Sequence, residues 1–133
     1  MTFGINFFVL DMGCLLFSDE ILDWWEATKY CRSRDSYLVE IVTSEQMTFM
    51  VQELQFFEQL MGEHSWWTGG TDVHQEGDYY WAHSLNPVEE YVWVIGDPSG
   101  DVLSNYLCLS YTDGYLGREC YGSAKFVCQN KEF

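Results

Sequence analysis

Cysteines, carboxylates and histidines are the residues in this chain whose types and spacing could do chemistry. The cysteines are Cys14, Cys31, Cys108, Cys120 and Cys128. None are spaced as Cys-x-x-Cys, and no histidine stands at zinc-finger distance, so their chemistry is that of thiols or disulfides rather than a zinc centre. The odd count leaves one of them free or linked to another chain. A fully reduced, buried set is a reading that composition alone leaves open. Between Asp35 and Gly117 there are fourteen acidic residues and no Lys or Arg. Such a stretch is either a solvated, self-repelling surface or a face for cations: calcium, a basic protein or a mineral. His64, His74 and His83 lie near Ser65, Asp72 and Ser84. Acid–base chemistry needs geometry rather than closeness in sequence, and no nucleophile motif, phosphate loop or metalloprotease motif is present. The chain therefore reads as non-enzymatic.

These residues must be held by a folded unit. The chain has 133 residues, enough for one domain over residues 1–133 with a real core. Aromatic residues make up 18% of it, which excludes intrinsic disorder. The formal charge is −15, with 21 acidic and 6 basic side chains, so no nucleic-acid partner and no anionic-lipid surface is expected. No apolar run approaches the length of a membrane span. Residues 1–13 lack the basic start of a secretion signal.

Residues 3–10 have strand composition, and Cys14 to Phe17 could pair with them. Asp23 reads as an N-cap, and Trp24, Ala27, Tyr30 and Cys31 recur at helical spacing, so a first helix is predicted to about Arg34. Leu38 to Val42 is a short strand-like link. Thr43 and Gln46 form the two ends of a capping box. Met47, Met50, Val51, Leu54, Phe57 and Met61 then line one face of a second helix, a stripe that belongs in a core, and Gly62 stops it. From Trp66 onward the chain is aromatic strands and long polar loops, closing on a strand at residues 124–128. Two helices followed by strands predict an α+β fold.

At this point the residues carry a resemblance. Trp67-Thr68-Gly69-Gly70, then Glu76-Gly77-Asp78-Tyr79-Tyr80-Trp81, then Trp93 with Gly96 and Pro98, and the cysteines Cys31, Cys108, Cys120 and Cys128 stand in one order. This order resembles the C-type lectin-like domain over about residues 14–129, and its texture is most similar to secreted invertebrate members. The resemblance implies two helices flanking small antiparallel sheets, with a long loop region and disulfide staples. It implies the pairs Cys31–Cys128 and Cys108–Cys120, and with them secretion to an extracellular compartment. Cys14 is then left over: free, paired with a cysteine outside this sequence, or joining a second copy as a homodimer.

The resemblance also locates a site. Sugar-binding members hold one calcium through carbonyl-bearing side chains on either side of a proline, a Glu, and an Asn-Asp pair. Here Asp97, Pro98 and Ser99 stand at the proline loop, Tyr106 replaces the Glu, and Leu116-Gly117 replaces Asn-Asp after Tyr115. Only Asp97 is a good ligand, so no cofactor is expected, with Asp97, Asp101 and Asp113 as the weak metal candidates. Glu45 is an auxiliary candidate by family analogy. Ligand contact is expected from Asp97, Pro98, Ser99, Asp101, Tyr106 and Tyr115, with Trp93, Tyr111 and Tyr121 as further aromatic candidates. The expected function is an extracellular recognition module for a glycan or protein ligand without the usual calcium site. Two alternatives stand beside it: a calcium-dependent lectin rebuilt around Asp97 and Asp101, and an acidic structural or mineral-associated matrix protein.

Overall fold

The computed structural model describes residues 2–7, 11–93, 105–111 and 114–131. In chain order its elements are β1 (Thr2–Phe7), β2 (Gly13–Ser18), α1 (Trp24–Arg32), β3 (Tyr37–Leu38), α2 (Ser44–Met61), β4 (Trp66–Thr71), β5 (Tyr80–Trp81), a 3₁₀ turn (Glu90–Val92), β6 (Tyr106–Tyr111), β7 (Tyr115–Cys120) and β8 (Lys125–Asn130). This is the α+β architecture expected.

Local chemistry sets the helix limits. Asp23 accepts a hydrogen bond from the Glu26 N–H, and the Glu26 side chain accepts one from the Asp23 N–H. That reciprocal pair satisfies two donors that the first turn of a helix leaves free. α1 ends two residues before the expected Arg34. Asp35 adopts φ +54°, and Ser36 donates back to the Cys31 carbonyl, which closes the helix. Thr43 caps α2 by accepting from the Gln46 N–H. The return bond of the expected box is displaced by one residue: Gln46 Oε1 accepts from Val42 N–H rather than from Thr43. Gly62, at φ +84°, ends α2 as expected.

The strands order as β1-β2-β8-β4-β6-β7, with β3 added on β8 and β5 on β4. β1 pairs with β2 as the composition predicts, Phe3 opposite Phe17. The β4–β8 pair is parallel and the others are antiparallel. A parallel pair between distant segments needs a long crossover, which a local pattern does not display.

Adjacent residues on a strand face opposite sides, and β4 shows what that does with two neighbouring tryptophans. Trp66 packs in a cluster with Phe17, Met50, Leu54 and Phe57 under α2. Trp67 packs in a second cluster with Trp24, Ala27 and Phe126 under α1. Both indoles are essentially inaccessible. Gly69 is needed for close approach, because a Cβ there would lie 2.9 Å from the Leu38 carbonyl oxygen. The α2 stripe is buried at Met47, Met50, Leu54 and Phe57 and half-buried at Val51 and Met61.

Both implied disulfides are present. Cys31–Cys128 ties α1 to β8, and Cys108–Cys120 ties β6 to β7, with Cα–Cα separations of 5.5 and 5.9 Å. Cys14, half-buried on β2, is in no disulfide.

Candidate functional site

Five of the expected positions, Asp97, Pro98, Ser99, Asp101 and Asp113, lie outside the described residues. The anchors of the segment that carries the first four are described. At one end, Trp93 bridges Gly117 of β7, donates its N–H to the Glu90 carbonyl, and sets its ring edge-on to Tyr79 at 4.8 Å. At the other end, the Asn105 carbonyl accepts from the Asp72 N–H and from Thr71 Oγ1. Trp93 and Asn105, the described residues that flank this segment, therefore lie beside β4, β6 and β7.

Tyr106 opens β6 opposite Cys120. Its ring stacks on Trp24, 4.6 Å between centroids and 14° from parallel. Its hydroxyl accepts a 2.7 Å hydrogen bond from Trp25 Nε1. Trp24 and Trp25 follow one another on α1, about 100° apart around the axis. One of them therefore faces the core and the other faces out. Trp24 is buried and donates to the Thr68 carbonyl, whereas Trp25 is 52% exposed and, among the described residues, is held by Tyr106 and the edge of Trp24. Trp25 was not among the expected contact residues, although the Trp-Trp pair at the helix start was the signal for it.

Tyr115 has no exposed surface. Its hydroxyl is buried, and burial pushes its pKa up. Tyr111 and Tyr121 are exposed, at 42% and 77%. Glu45 lies in the exposed first turn of α2, where it complements the helix dipole.

A second cluster sits at the anchored end of the loop. Asp72 is 2% exposed. Its Oδ2 accepts from the Gly77 N–H, and its Oδ1 is buried. Glu76 and Glu119 are close enough to feel it. Glu76 is held above the usual carboxylate range, first by the hydrogen bond its protonated form gives Asp72, then by partial burial, then by the charges of Asp72 and Glu119. Tyr79 donates to Glu119 Oε2 at 3.0 Å. Burial first, then Glu119 and Asp72, push the Tyr79 hydroxyl far above its ordinary value. The sequence showed Asp72 and Glu76 only as part of a long acidic run and left Glu119 outside it, because the β4–β7 proximity that gathers them is tertiary.

The positions of the calcium set implied by the resemblance that lie among the described residues, Tyr106, Leu116 and Gly117, carry no carboxylate or amide side chain. Tyr106 turns its side chain to α1. Gly117 has no room for a side chain, since a Cβ would stand 2.6 Å from the Val92 carbonyl oxygen. Among the described residues, no three His, Cys, Asp or Glu side chains are grouped to hold a metal ion. The histidines are engaged otherwise: His64 Nε2 meets the Met61 carbonyl, His74 stacks on Tyr80, and His83 stacks on Tyr37.

The sequence model of the Lectin C-type domain family matches residues 20–130. Among curated relatives, C-type lectin mosGCTL-7 of Culex quinquefasciatus is 30% identical over 122 residues, covering 84% of this chain and 70% of that protein. Perlucin-like protein of Mytilus galloprovincialis is 29% identical over 87 residues, covering 65% of this chain and 54% of that protein, so the match spans about half the relative's length. Among solved structures, the mouse scavenger receptor C-type lectin carbohydrate-recognition domain superposes with TM-score 0.72 at 26% identity, covering 88% of this chain and 87% of that one.

Proposed function

The chain belongs to the C-type lectin domain family, and from that premise we propose an extracellular recognition module that binds its glycan or protein ligand on aromatic side chains, without the usual calcium-dependent sugar site. One observation carries the reading. Tyr106 stands where the resemblance calls for a calcium-ligating carboxylate, and it is committed instead to Trp24 and Trp25. The same contact holds an exposed indole rigid. Tryptophan offers a large contact area at low entropic cost, and such anchors dominate binding hot spots. Asp97, Pro98, Ser99 and Asp101 remain proposed ligand contacts, as the resemblance implies. Disulfides at Cys31–Cys128 and Cys108–Cys120 support an oxidising, extracellular setting.

The test is a glycan array and a ligand pull-down, each run in calcium and in EDTA, with Trp25→Ala beside the parent chain. Binding is expected to survive EDTA and to fall at least about tenfold in W25A, the size of a hot-spot loss. Loss of all binding in EDTA would overturn the reading.

One observation favours a second reading, a cation-dependent module. Asp72, Glu76 and Glu119 concentrate negative charge at the anchored end of the loop that carries Asp97 and Asp101. Calorimetric titration of calcium separates the two readings: a flat trace supports the first, and one stoichiometric event supports the second.

A further inference from the structure

A cavity of about 770 Å³ opens between the end of α1, β3 and the turn after β5. It shares none of the loop positions discussed above. Its volume falls in the range of small-molecule sites. Glu40 lines it and is 6% exposed. Glu40 Oε2 accepts from the His83 and Ser84 N–H groups at 2.8 and 3.0 Å. Its Oε1 has no hydrogen-bond partner among the described residues and is not shut off from water, so it is an acceptor that a ligand in the cavity can reach. Tyr37 and His83 stack at 3.7 Å and 1° and form a flat wall beside it.

The charge of the lining sets this cavity apart from the rest of the molecule. Arg32 and Lys131 face Asp35 and Glu40 around it, in a chain whose formal charge is −15. Lys131 is paired with Asp11 at 3.4 Å. Arg32 is exposed, and its guanidinium makes no hydrogen bond or ion pair among the described residues. The cavity thus offers one unsatisfied acceptor on a buried carboxylate and one unused planar donor fork. It carries no net charge to reject either sign of ligand.

We propose that this cavity binds a small zwitterion, an ammonium group on Glu40 Oε1 and a carboxylate on Arg32. The test titrates the full chain with ω-amino acids from glycine to 6-aminohexanoate, followed by NMR at Tyr37 and His83. Hexylamine and hexanoate serve as single-ended controls. At least one amino acid of the series is expected to bind, and at the matching length about tenfold more tightly than either control, because both charged ends are recognised. Glu40→Gln and Arg32→Gln are each expected to remove that margin. Arg32 is exposed and unbonded, so R32Q keeps the fold and the test stands even if E40Q does not fold. Silence of the whole series overturns the proposal. So does an amine or acid that binds as well as the amino acid, or an R32Q chain that binds like the parent.

Discussion

At the residue scale, Glu76 shows how a single group can be set against its own ionisation. Its folded-state pKa is raised, so its favourable contribution is complete below the unfolded value and is lost as pH rises through the folded one. Glu76→Gln is therefore expected to raise Tm at pH 7 and to leave it unchanged near pH 4, as thermal melts at the two pH values will show. Gly117→Ala places a methyl group against the Val92 carbonyl oxygen and should cost about 1–3 kcal/mol in urea unfolding. The sequence displayed Tyr106 and Gly117 as departures from a ligand pattern. It did not display where their side-chain space had gone. Tyr106 had been expected to face a ligand, yet it stacks on Trp24, because odd and even residues of β6 face different clusters and its parity points it to α1. Asp97, Pro98, Ser99 and Asp101 are readable in sequence only as a proline-bearing polar loop.

At the element scale, periodicity and caps made both helices legible. The Asp23 and Thr43 starts, the buried stripe of α2 and the stop at Gly62 all follow from local rules. The end of α1 was not legible, because Asp35 takes up a left-handed conformation that no residue type there announces. Nor was β4–β8 pairing, which joins segments far apart in the chain. α2 depends on its cap and on one large anchor. Thr43→Ala should cost about 1 kcal/mol. Phe57→Ala, which empties the space against Phe17, should cost about 3–5 kcal/mol. Equilibrium unfolding of the two variants checks both values and their order. Gln129 belongs at this scale too. From β8 it accepts from the Glu40 N–H and donates to the Met12 carbonyl, and so its side chain reinforces the junction where β2 and β3 both pair with β8.

At the scale of the whole molecule, charge and cross-links work in opposite directions. A formal charge of −15 repels itself in the compact state, so Tm is expected to rise when sodium chloride is raised from low to physiological concentration. Replacing Cys31 and Cys128 by serine opens a sequence separation of 97 residues and should cost about 4–5 kcal/mol on the chain-entropy account. The strand order has a consequence in time. β8 follows every other described strand in the chain, yet it lies between β2 and β4 and also carries β3. Until the ribosome has delivered it, β2 and β4 each present an open edge, and the two halves of the sheet have nothing to join them. Until then β3 has no partner strand, and β2 and β4 each lack the partner that β8 supplies along one edge. That wait makes this a slow-folding topology, exposed to mispairing and in need of shelter during translation.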